Sequence, residues 1–420
     1  MIKIELPVSK SEGARFLVAT YFAGTLPADP YFEDNDDLLV LQQALLEIYS
    51  DEEPIDYGNT PIDVHASGTA MRLVTAVCAS SPGADYVVMG TPRLCSRPMA
   101  PLLKVLREAG AEIATLGENG CGPYRVTGKK LKGGEFSIEG NISSQFITAL
   151  MLVAPTWEEG MTLRFTTPLV SRPYIDMTAR LMEQFGIKPE LSDEMVTVKP
   201  GKYKEPEGIK VETDWSSASF FYEACSMGSG EMLLEALRKP EDSLQGDSVC
   251  AELFAKLGVK TDYSEEGVVI SEGKEKETYI EKDMKDCPDL VLPYAVACQF
   301  SGVKYKFTGV GNLRLKESDR LKSLKEESRK LGFVVETGDD TVEWKGETVR
   351  PEDNPLISTY EDHRVAMTFA MAALKTGHIR IEDPDVVEKS FGLFWEQLGN
   401  LPLKYSREGN IMLVERCKEP

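Results

Sequence analysis

The chain has 420 residues, of which 42% are hydrophobic and 27% are charged, and its formal net charge is −21 at pH 7. This length exceeds the size of one hydrophobic core, so we expect two domains. The acidic balance argues against non-specific binding to nucleic acid or to an anionic membrane surface. An anionic ligand would therefore have to be held by cations that the fold gathers locally.

The eight cysteines are scattered along the chain, and no two of them form a CxxC pair. This predicts reduced cysteines, several of them in the core, without a disulfide framework or a zinc site. The first ten residues, MIKIELPVSK, lack the apolar region of a signal peptide. No run approaches the roughly 18 apolar residues of a membrane span. We therefore expect a cytoplasmic protein.

Strand and helix patterns alternate along the chain. Alternating or short apolar runs predict strands at residues 1–6, 86–89, 162–165, 196–199 and 267–270. Helical periodicity covers residues 99–110 and 175–186, and both segments end in Gly, a common residue after the last helical turn.

Six further segments are apolar nearly all round, and each follows a short polar cluster. Helices of that kind are expected inside a domain. The polar clusters are Ser9-Lys10-Ser11, Ser67-Gly68-Thr69, Ser143-Ser144-Gln145, Trp215-Ser216-Ser217, Pro288-Asp289 and Asp362-His363-Arg364. A charged stretch rich in Pro and Gly, residues 200–208, leaves three clusters on each side. The sequence thus predicts two similar halves that face one another across a ligand-binding cleft.

Three of these helix starts carry a cation in an unfavourable place. Ser and Asp are ordinary N-caps, but Arg15, Arg72 and Arg364 lie in or near a first turn. A cation there opposes the positive end of the helix by about 0.3–1 kcal/mol. Because helix N-termini favour phosphate and carboxylate, the three arginines together indicate a strongly anionic ligand.

The densest polar segment outside these starts is residues 312–320. A helix that begins at Lys316 would place Glu317 three residues before Arg320, and a solvated ion pair is the simplest interpretation. The preceding Gly-containing turn, which includes Asn312, favours a binding site instead. Asp289 likewise is either a helix cap or a carboxylate that acts as a base beside cations.

Several familiar catalytic motifs are missing. The sequence has no P-loop, no GxSxG and no HExxH, and Gly309-Val-Gly311 lacks the third Gly of a dinucleotide-binding fingerprint.

Several segments in one order, spanning nearly the whole chain, match a known pattern. They are Leu6-Pro-Val-Ser-Lys-Ser11, Ser67-Gly-Thr-Ala-Met-Arg72, Gly90-Thr-Pro-Arg93 with Arg97-Pro98, Ser143-Ser-Gln-Phe146, Ser171-Arg-Pro-Tyr-Ile-Asp176, Leu244-Gln-Gly-Asp247, Asn312 to Arg320, Asp362-His-Arg364 and Lys389-Ser-Phe391. Together they resemble the EPSP synthases, the 3-phosphoshikimate 1-carboxyvinyltransferases of the enolpyruvyltransferase family.

The resemblance implies a two-domain α/β fold, an inside-out α/β barrel. Each domain would contain three βα repeat units with internal helices, and the cleft would lie between the domains. Residues 9–211 would form the N-terminal (upper) domain, and residues 1–8 with 212–420 would form the C-terminal (lower) domain.

The family transfers the enolpyruvyl (1-carboxyvinyl) group of phosphoenolpyruvate to the 5-hydroxyl of shikimate 3-phosphate and releases phosphate, by addition and elimination in the shikimate pathway. The resemblance implies this reaction here, with no metal or organic cofactor, no nucleic-acid or membrane partner, and a monomeric enzyme. Each substrate carries a phosphate and a carboxylate, which agrees with the anionic ligand inferred from the arginines.

Position by position, the resemblance implies two sets of substrate contacts. The set for shikimate 3-phosphate is Lys10, Ser11, Arg15, Ser143, Ser144, Gln145, Ser171, Tyr174, Asp289, Asn312 and Lys316. The set for phosphoenolpyruvate is Lys10, Gly68, Arg93, Gln145, Arg320, Arg364 and Lys389. Asp289 matches the family's base, Glu317 matches its acid, and Lys10 is a third group that takes part in proton transfer.

The chain departs from the family at Ala66, because the family usually has Asn two residues before the equivalent of Gly68. A hydrogen bond lost there is worth about 1 kcal/mol. One alternative is UDP-N-acetylglucosamine enolpyruvyltransferase, whose loop cysteine aligns with Pro92, whereas Cys95 lies three places away. The other is a non-catalytic scaffold of the same fold, which the retention of Lys10, Asp289, Glu317, Arg364 and Lys389 together disfavours.

Overall fold

The computed structural model describes residues 1–29, 32, 34–49 and 60–417. The chain divides into two compact units. We call Lys10–Val211 the inserted unit, because it lies between the two chain segments of the other. Met1–Ser9 and Glu212–Pro420 form the terminal unit.

The described part of the inserted unit contains seven α-helices and two four-stranded sheets. The helices are α1 Lys10–Ala23, α2 Asp36–Tyr49, α3 Gly68–Ser80, α4 Pro92–Cys95, α5 Ala100–Glu108, α6 Ser144–Val153 and α7 Arg172–Gln184, with 3-10 turns at Glu118–Gly120 and Ala154–Thr156. In spatial order the sheets are Thr60–Asp63, Asp85–Met89, Tyr124–Thr127, Glu112–Thr115, and Gly134–Ile138, Met161–Phe165, Met195–Val198, Glu190–Leu191.

The terminal unit contains seven α-helices and three four-stranded sheets among its described residues. The helices are α8 Trp215–Ser226, α9 Cys250–Ala255, α10 Val291–Ser301, α11 Arg320–Lys330, α12 His363–Met371, α13 Ala373–Thr376 and α14 Phe394–Gly399, with 3-10 turns at Gly246–Val249, Pro288–Leu290, Gly311–Leu315 and Pro384–Lys389. In spatial order the sheets are Ile2–Ile4, Met232–Glu235, Gly267–Glu272, Val259–Tyr263; then Tyr279–Asp283, Lys304–Thr308, Thr341–Trp344, Glu336–Thr337; and Leu356–Ile357, His378–Glu382, Ile411–Arg416, Leu403–Glu408.

All five sheets share one topology. The first two strands of each sheet are parallel, and the remaining two pairs are antiparallel. The first sheet shows the register, in which Met232 pairs with Ile2 in parallel and with Ile270 antiparallel. Parallel neighbours need a crossover, and at least one helix lies in the chain between them in every sheet.

The apolar helices are buried, as their sequences predict. In the terminal unit, α8, α10 and α12 pack against one another, and every residue of α12 is buried. In the inserted unit, α1, α3 and α6 contact one another in the same way. A helix without a polar face is stable only when it is surrounded by protein, so these segments form the centre of each core.

The structure bears on two points of the sequence, the burial of the cysteines and the start of the helix near residues 316–320. Six of the eight free cysteines are buried, which confirms that several belong to the core. The helix considered for residues 316–320, α11, begins at the last of them, Arg320, because Asp319 is its N-cap and accepts the amide hydrogen of Lys322 at 3.0 Å. Among the described residues, no helix is both long and apolar enough to cross a membrane.

Asp214 caps the central helix α8 and offers a test of this core. Its Oδ2 accepts hydrogen bonds from the Ser217 amide at 2.9 Å and from the Ser217 hydroxyl at 2.7 Å. We expect Asp214→Ala to lower the free energy of unfolding by about 1–2 kcal/mol, and Asp214→Asn to lower it by less, because Asn still caps. Urea denaturation measures both values, with the exposed Asp262→Ala as control. Equal losses for Ala and Asn would contradict the capping role.

Candidate functional site

The terminal unit holds a buried cluster centred on Arg320, whose side chain is only 2% exposed. Its Nε donates to Asp362 Oδ2 at 2.8 Å. Its Nη1 and Nη2 donate to Asp289 Oδ1 at 2.8 Å and to Glu317 Oε2 at 2.9 Å. We call these four residues, together with Arg364, the arginine cluster.

Asp289 is the carboxylate of this cluster that lies close to three cations. Besides Arg320, its Oδ2 accepts a hydrogen bond from Arg364 Nη2 at 3.1 Å. Lys316 Nζ lies 3.9 Å from Asp289 Oδ1. A carboxylate surrounded by three cations is strongly stabilised in its ionised form.

The pKa shifts in this cluster follow from burial and these contacts. Burial alone would raise the pKa of Asp289, but Arg364, Lys316 and Arg320 outweigh it and hold that pKa well below its ordinary value. Burial lowers the pKa of the Lys316 ammonium, although Asp289 opposes the shift. Asp289 is therefore ionised over the whole physiological pH range.

Helix starts bring these side chains together, as the sequence predicted. Asp289 lies in the 3-10 turn that leads into α10, and Arg320 is the first residue of α11. Asp362 is the N-cap of α12, where it accepts the amide hydrogen of Arg364 at 3.0 Å. The same carboxylate also accepts the Ser318 hydroxyl at 2.9 Å. Asp362 thus joins two helix starts through one side chain.

Asp247 is a member of this region to which the sequence analysis assigned no role. It is 4% exposed, and its carboxylate accepts the hydroxyl of Ser216 in the first turn of α8. Burial first, and the nearby Asp289 second, raise the pKa of Asp247 to about 7. The Gln-Gly-Asp motif marks the position, but its partner Ser216 lies 31 residues away and no local pattern identifies it.

In the inserted unit, Lys10 forms an ion pair with Asp37, and Nζ lies 3.1 Å from Oδ2. Both side chains are largely buried, at 16% and 7% exposure. No local pattern in the sequence distinguishes Asp37, which lies in the first turn of α2 next to the acidic Asp36.

Arg15 lies close to two other residues of the predicted set, Ser11 and Tyr174, because it donates to the backbone carbonyls of both. The same guanidinium also donates to the hydroxyls of Thr178 at 2.8 Å and Thr148 at 3.1 Å. Burial lowers the pKa of Arg15 to about 10. These bonds tie α1, α6 and α7 together in the described structure.

Gly68 begins α3 beside two guanidinium groups. A Cβ atom at Gly68 would lie 2.6 Å from Nη1 of Arg72 and of Arg97, so a larger residue would require both guanidinium groups to shift. Arg72 also stacks over the Phe146 ring, 5.5 Å from its centroid. Gln145 Nε2 is 3.5 Å from the Thr69 hydroxyl, which brings the starts of α6 and α3 close together.

The remaining predicted residues occupy separate positions. Ser143 is the N-cap of α6, Ser144 begins that helix, and Ser171 is the N-cap residue of α7 with φ of 55°. Arg93 is exposed in α4, and Asn312 lies in the turn Gly311–Leu315. Lys389 ends the turn Pro384–Lys389, which packs against α12. Across residues 1–29, 32, 34–49 and 60–417, no group of three His, Cys, Asp or Glu side chains could hold a metal ion.

Asp247 predicts a measurable pH dependence of stability. Since its pKa is higher in the folded state than its ordinary 3.8, the folded protein binds this proton more tightly, and the contribution to stability is lost as pH rises towards 7. We expect the stability advantage of the wild type over Asp247→Asn to fall by about 2 kcal/mol between pH 5 and pH 8. Urea unfolding at each pH measures it, with Asp262→Asn as control. Parallel stability curves for wild type and Asp247→Asn would contradict the raised pKa.

Comparisons with known proteins agree on one family. A sequence model of the EPSP synthase (3-phosphoshikimate 1-carboxyvinyltransferase) family matches residues 31–398. A 3-phosphoshikimate 1-carboxyvinyltransferase of Bacteroides fragilis is 39% identical over 397 residues, and the match covers 94% of each chain. One of Marinomonas is 34% identical over 416 residues, and the match covers 94% of this chain and 95% of the other. A solved structure of EPSP synthase from Acinetobacter baumannii has a similar fold, with a TM-score of 0.70 at 24% identity over 95% of each chain. The chain therefore belongs to the EPSP synthase family.

Proposed function

We propose that the arginine cluster and the substrate-contact residues of the inserted unit bind phosphoenolpyruvate and shikimate 3-phosphate and carry out enolpyruvyl transfer between them. The observation that carries this proposal is Asp289, a largely buried carboxylate with a side chain 17% exposed, in contact with three cations, Lys316, Arg320 and Arg364. Such a site can accept a proton from a hydroxyl and can pair with anionic groups at the same time. Family membership supplies the substrates.

The substrate contacts in this proposal are those that the family resemblance implies. Lys10, Gly68, Arg93, Gln145, Arg320, Arg364 and Lys389 contact phosphoenolpyruvate. Asp289, Asn312 and Lys316, with Lys10, Ser11, Arg15, Ser143, Ser144, Gln145, Ser171 and Tyr174, contact shikimate 3-phosphate. Lys and Arg suit phosphate and carboxylate groups, since they form charge-assisted hydrogen bonds.

In the addition step, the 5-hydroxyl oxygen of shikimate 3-phosphate bonds to C2 of phosphoenolpyruvate. Asp289 takes the hydroxyl proton, and Glu317 delivers a proton to the C3 methylene. The low pKa of Asp289 makes it a weak base while Arg320, Arg364 and Lys316 have no substrate anion to pair with. Substrate anions that pair with Arg320 and Arg364 weaken that hold, so binding itself raises the basicity of Asp289.

In the elimination step, the bond from C2 to the phosphate oxygen breaks and a proton leaves the C3 methyl group, which restores the double bond. Glu317 can accept that proton, since a carboxyl group that has delivered a proton is then a carboxylate. Lys10 takes part in proton transfer, and the surrounding cations stabilise the charge on the departing phosphate.

The finer architecture is also part of this proposal. We infer an inside-out barrel of three βα repeat units per domain, with domains at residues 9–211 and at 1–8 with 212–420. The three sheets and three central helices of the terminal unit support it. The described inserted unit contributes two sheets together with helices α1 and α2. A monomeric cytoplasmic enzyme without a cofactor completes the proposal.

The choice of acceptor is tested by the release of phosphate from phosphoenolpyruvate. We expect release with shikimate 3-phosphate and only background with UDP-N-acetylglucosamine, because the contact residues match the shikimate enzyme. A coupled phosphate assay with each acceptor measures this. Release with the nucleotide sugar, or with neither acceptor, would contradict the proposal and would favour the sister enzyme or a non-catalytic scaffold.

The proton-transfer roles are tested by isosteric variants. Asp289→Asn and Glu317→Gln should each lower kcat by about 100-fold or more, because general acid–base catalysis contributes that much. The exposed Glu336→Gln, in a surface strand, is the matched control. Circular dichroism and urea unfolding establish that each variant is folded. A kcat within a few-fold of wild type in either variant would reject that residue's role.

A further inference from the structure

A second buried contact joins helix α11 to the segment before α12. Arg320 at the start of α11 contacts Asp362, and Glu327 lies seven residues later on the same helical face, roughly 10 Å along the axis. Glu327 is fully buried, with a side chain that is 0% exposed. Helix α11 therefore contacts residues 356–362 through Arg320 and through Glu327, and only Arg320 belongs to the arginine cluster.

Glu327 uses both carboxylate oxygens in this contact. Its Oε1 accepts the Tyr360 hydroxyl at 2.7 Å. Its Oε2 accepts the Ser358 amide at 3.2 Å and pairs with Lys330 Nζ at 2.7 Å. Lys330 also donates to the Leu356 carbonyl at 2.7 Å. Glu327 and Lys330 of α11 thus hold Leu356, Ser358 and Tyr360 in the segment that leads to Asp362.

The segment held in this way has an unfavourable backbone. Tyr360 and Glu361 have φ of 55° and 58°, so two consecutive non-glycine residues are left-handed. Such residues carry strain and keep that conformation only when their surroundings enforce it. The chain then reaches Asp362, which binds Arg320, and two residues later Arg364, which binds Asp289.

We propose that Glu327, with Lys330 and Tyr360, is a positioning group for the phosphoenolpyruvate subsite. Its contacts hold residues 358–361, with Tyr360 and Glu361 left-handed, in the conformation that places Asp362 and Arg364. Without them the segment relaxes, Asp362 moves, and the guanidinium groups of Arg320 and Arg364 lose their fixed directions. This inference rests on the proposed role of these two arginines.

The test separates the two substrates. Glu327→Ala should raise the KM for phosphoenolpyruvate by about 10-fold or more, since a displacement of about 1 Å at a reacting site has effects of this size. The Kd for shikimate 3-phosphate, measured by calorimetry without phosphoenolpyruvate, should change by less than about two-fold. None of the proposed contact residues for shikimate 3-phosphate belongs to residues 356–364, although one of them, Asp289, contacts Arg364. Glu327→Gln should lose less than Glu327→Ala, because its amide oxygen still accepts one hydrogen bond.

Leu324→Ala is the matched control for stability. Leu324 is buried in α11 between Arg320 and Glu327, so its truncation weakens the same helix without removing a polar contact to residues 356–362. The KM for phosphoenolpyruvate in this control should stay within about two-fold of wild type. An equal rise in both variants, or a wild-type KM in Glu327→Ala, would overturn the positioning role.

Two further variants keep the test decisive if Glu327→Ala does not fold. Tyr360→Phe removes only the hydroxyl and should raise the same KM by about three-fold. Glu361→Asn, added to Glu327→Ala or to Tyr360→Phe, should restore part of the loss, because Asn tolerates the left-handed region. No rise in Tyr360→Phe would overturn the inference. Absence of phosphate release in the wild type would instead reject the proposed function itself.

Discussion

One buried guanidinium organises the chemistry of the terminal unit. Arg320 contacts three carboxylates from three places in the chain, Asp289, Glu317 and Asp362. A buried charge is tolerated only when it is paired and hydrogen-bonded. The helix starts that supply these carboxylates must therefore stay together, and the positions of Asp289 and Arg364 follow from that requirement.

The same pairing sets the electrostatics of the site. Burial opposes ionisation, yet the cations keep Asp289 ionised, whereas Asp247 nearby has its pKa raised to about 7. Neighbouring carboxylates with pKa values pushed apart can take different roles in one reaction. In our proposal, phosphate and carboxylate groups of the substrates compete with Asp289 for Arg320 and Arg364, so binding and basicity are coupled.

Much of this arrangement could be predicted from local sequence. A helix that is apolar all round must be buried, and a cation at its start, as at Arg364, indicates an anionic neighbour. Partners far apart in sequence could not be predicted, because no periodicity relates Lys10 to Asp37 or Arg320 to Asp362. The ion pair between Glu317 and Arg320 that the spacing indicates is present, but Arg320 is buried and Glu317 is only 18% exposed, so it is not a solvated surface pair. The burial of Arg320 depends on its contact with Asp362, 42 residues away.

The most direct test of this account is a double-mutant cycle between Arg320 and Asp362, read by urea unfolding without substrate. Arg320→Met alone should lower the free energy of unfolding by about 3–5 kcal/mol, because it leaves buried carboxylates uncompensated. Adding Asp362→Asn should recover part of that loss, with a coupling energy above about 1 kcal/mol. Additive losses, within about 0.5 kcal/mol, would contradict the claim that this guanidinium holds the helix starts together.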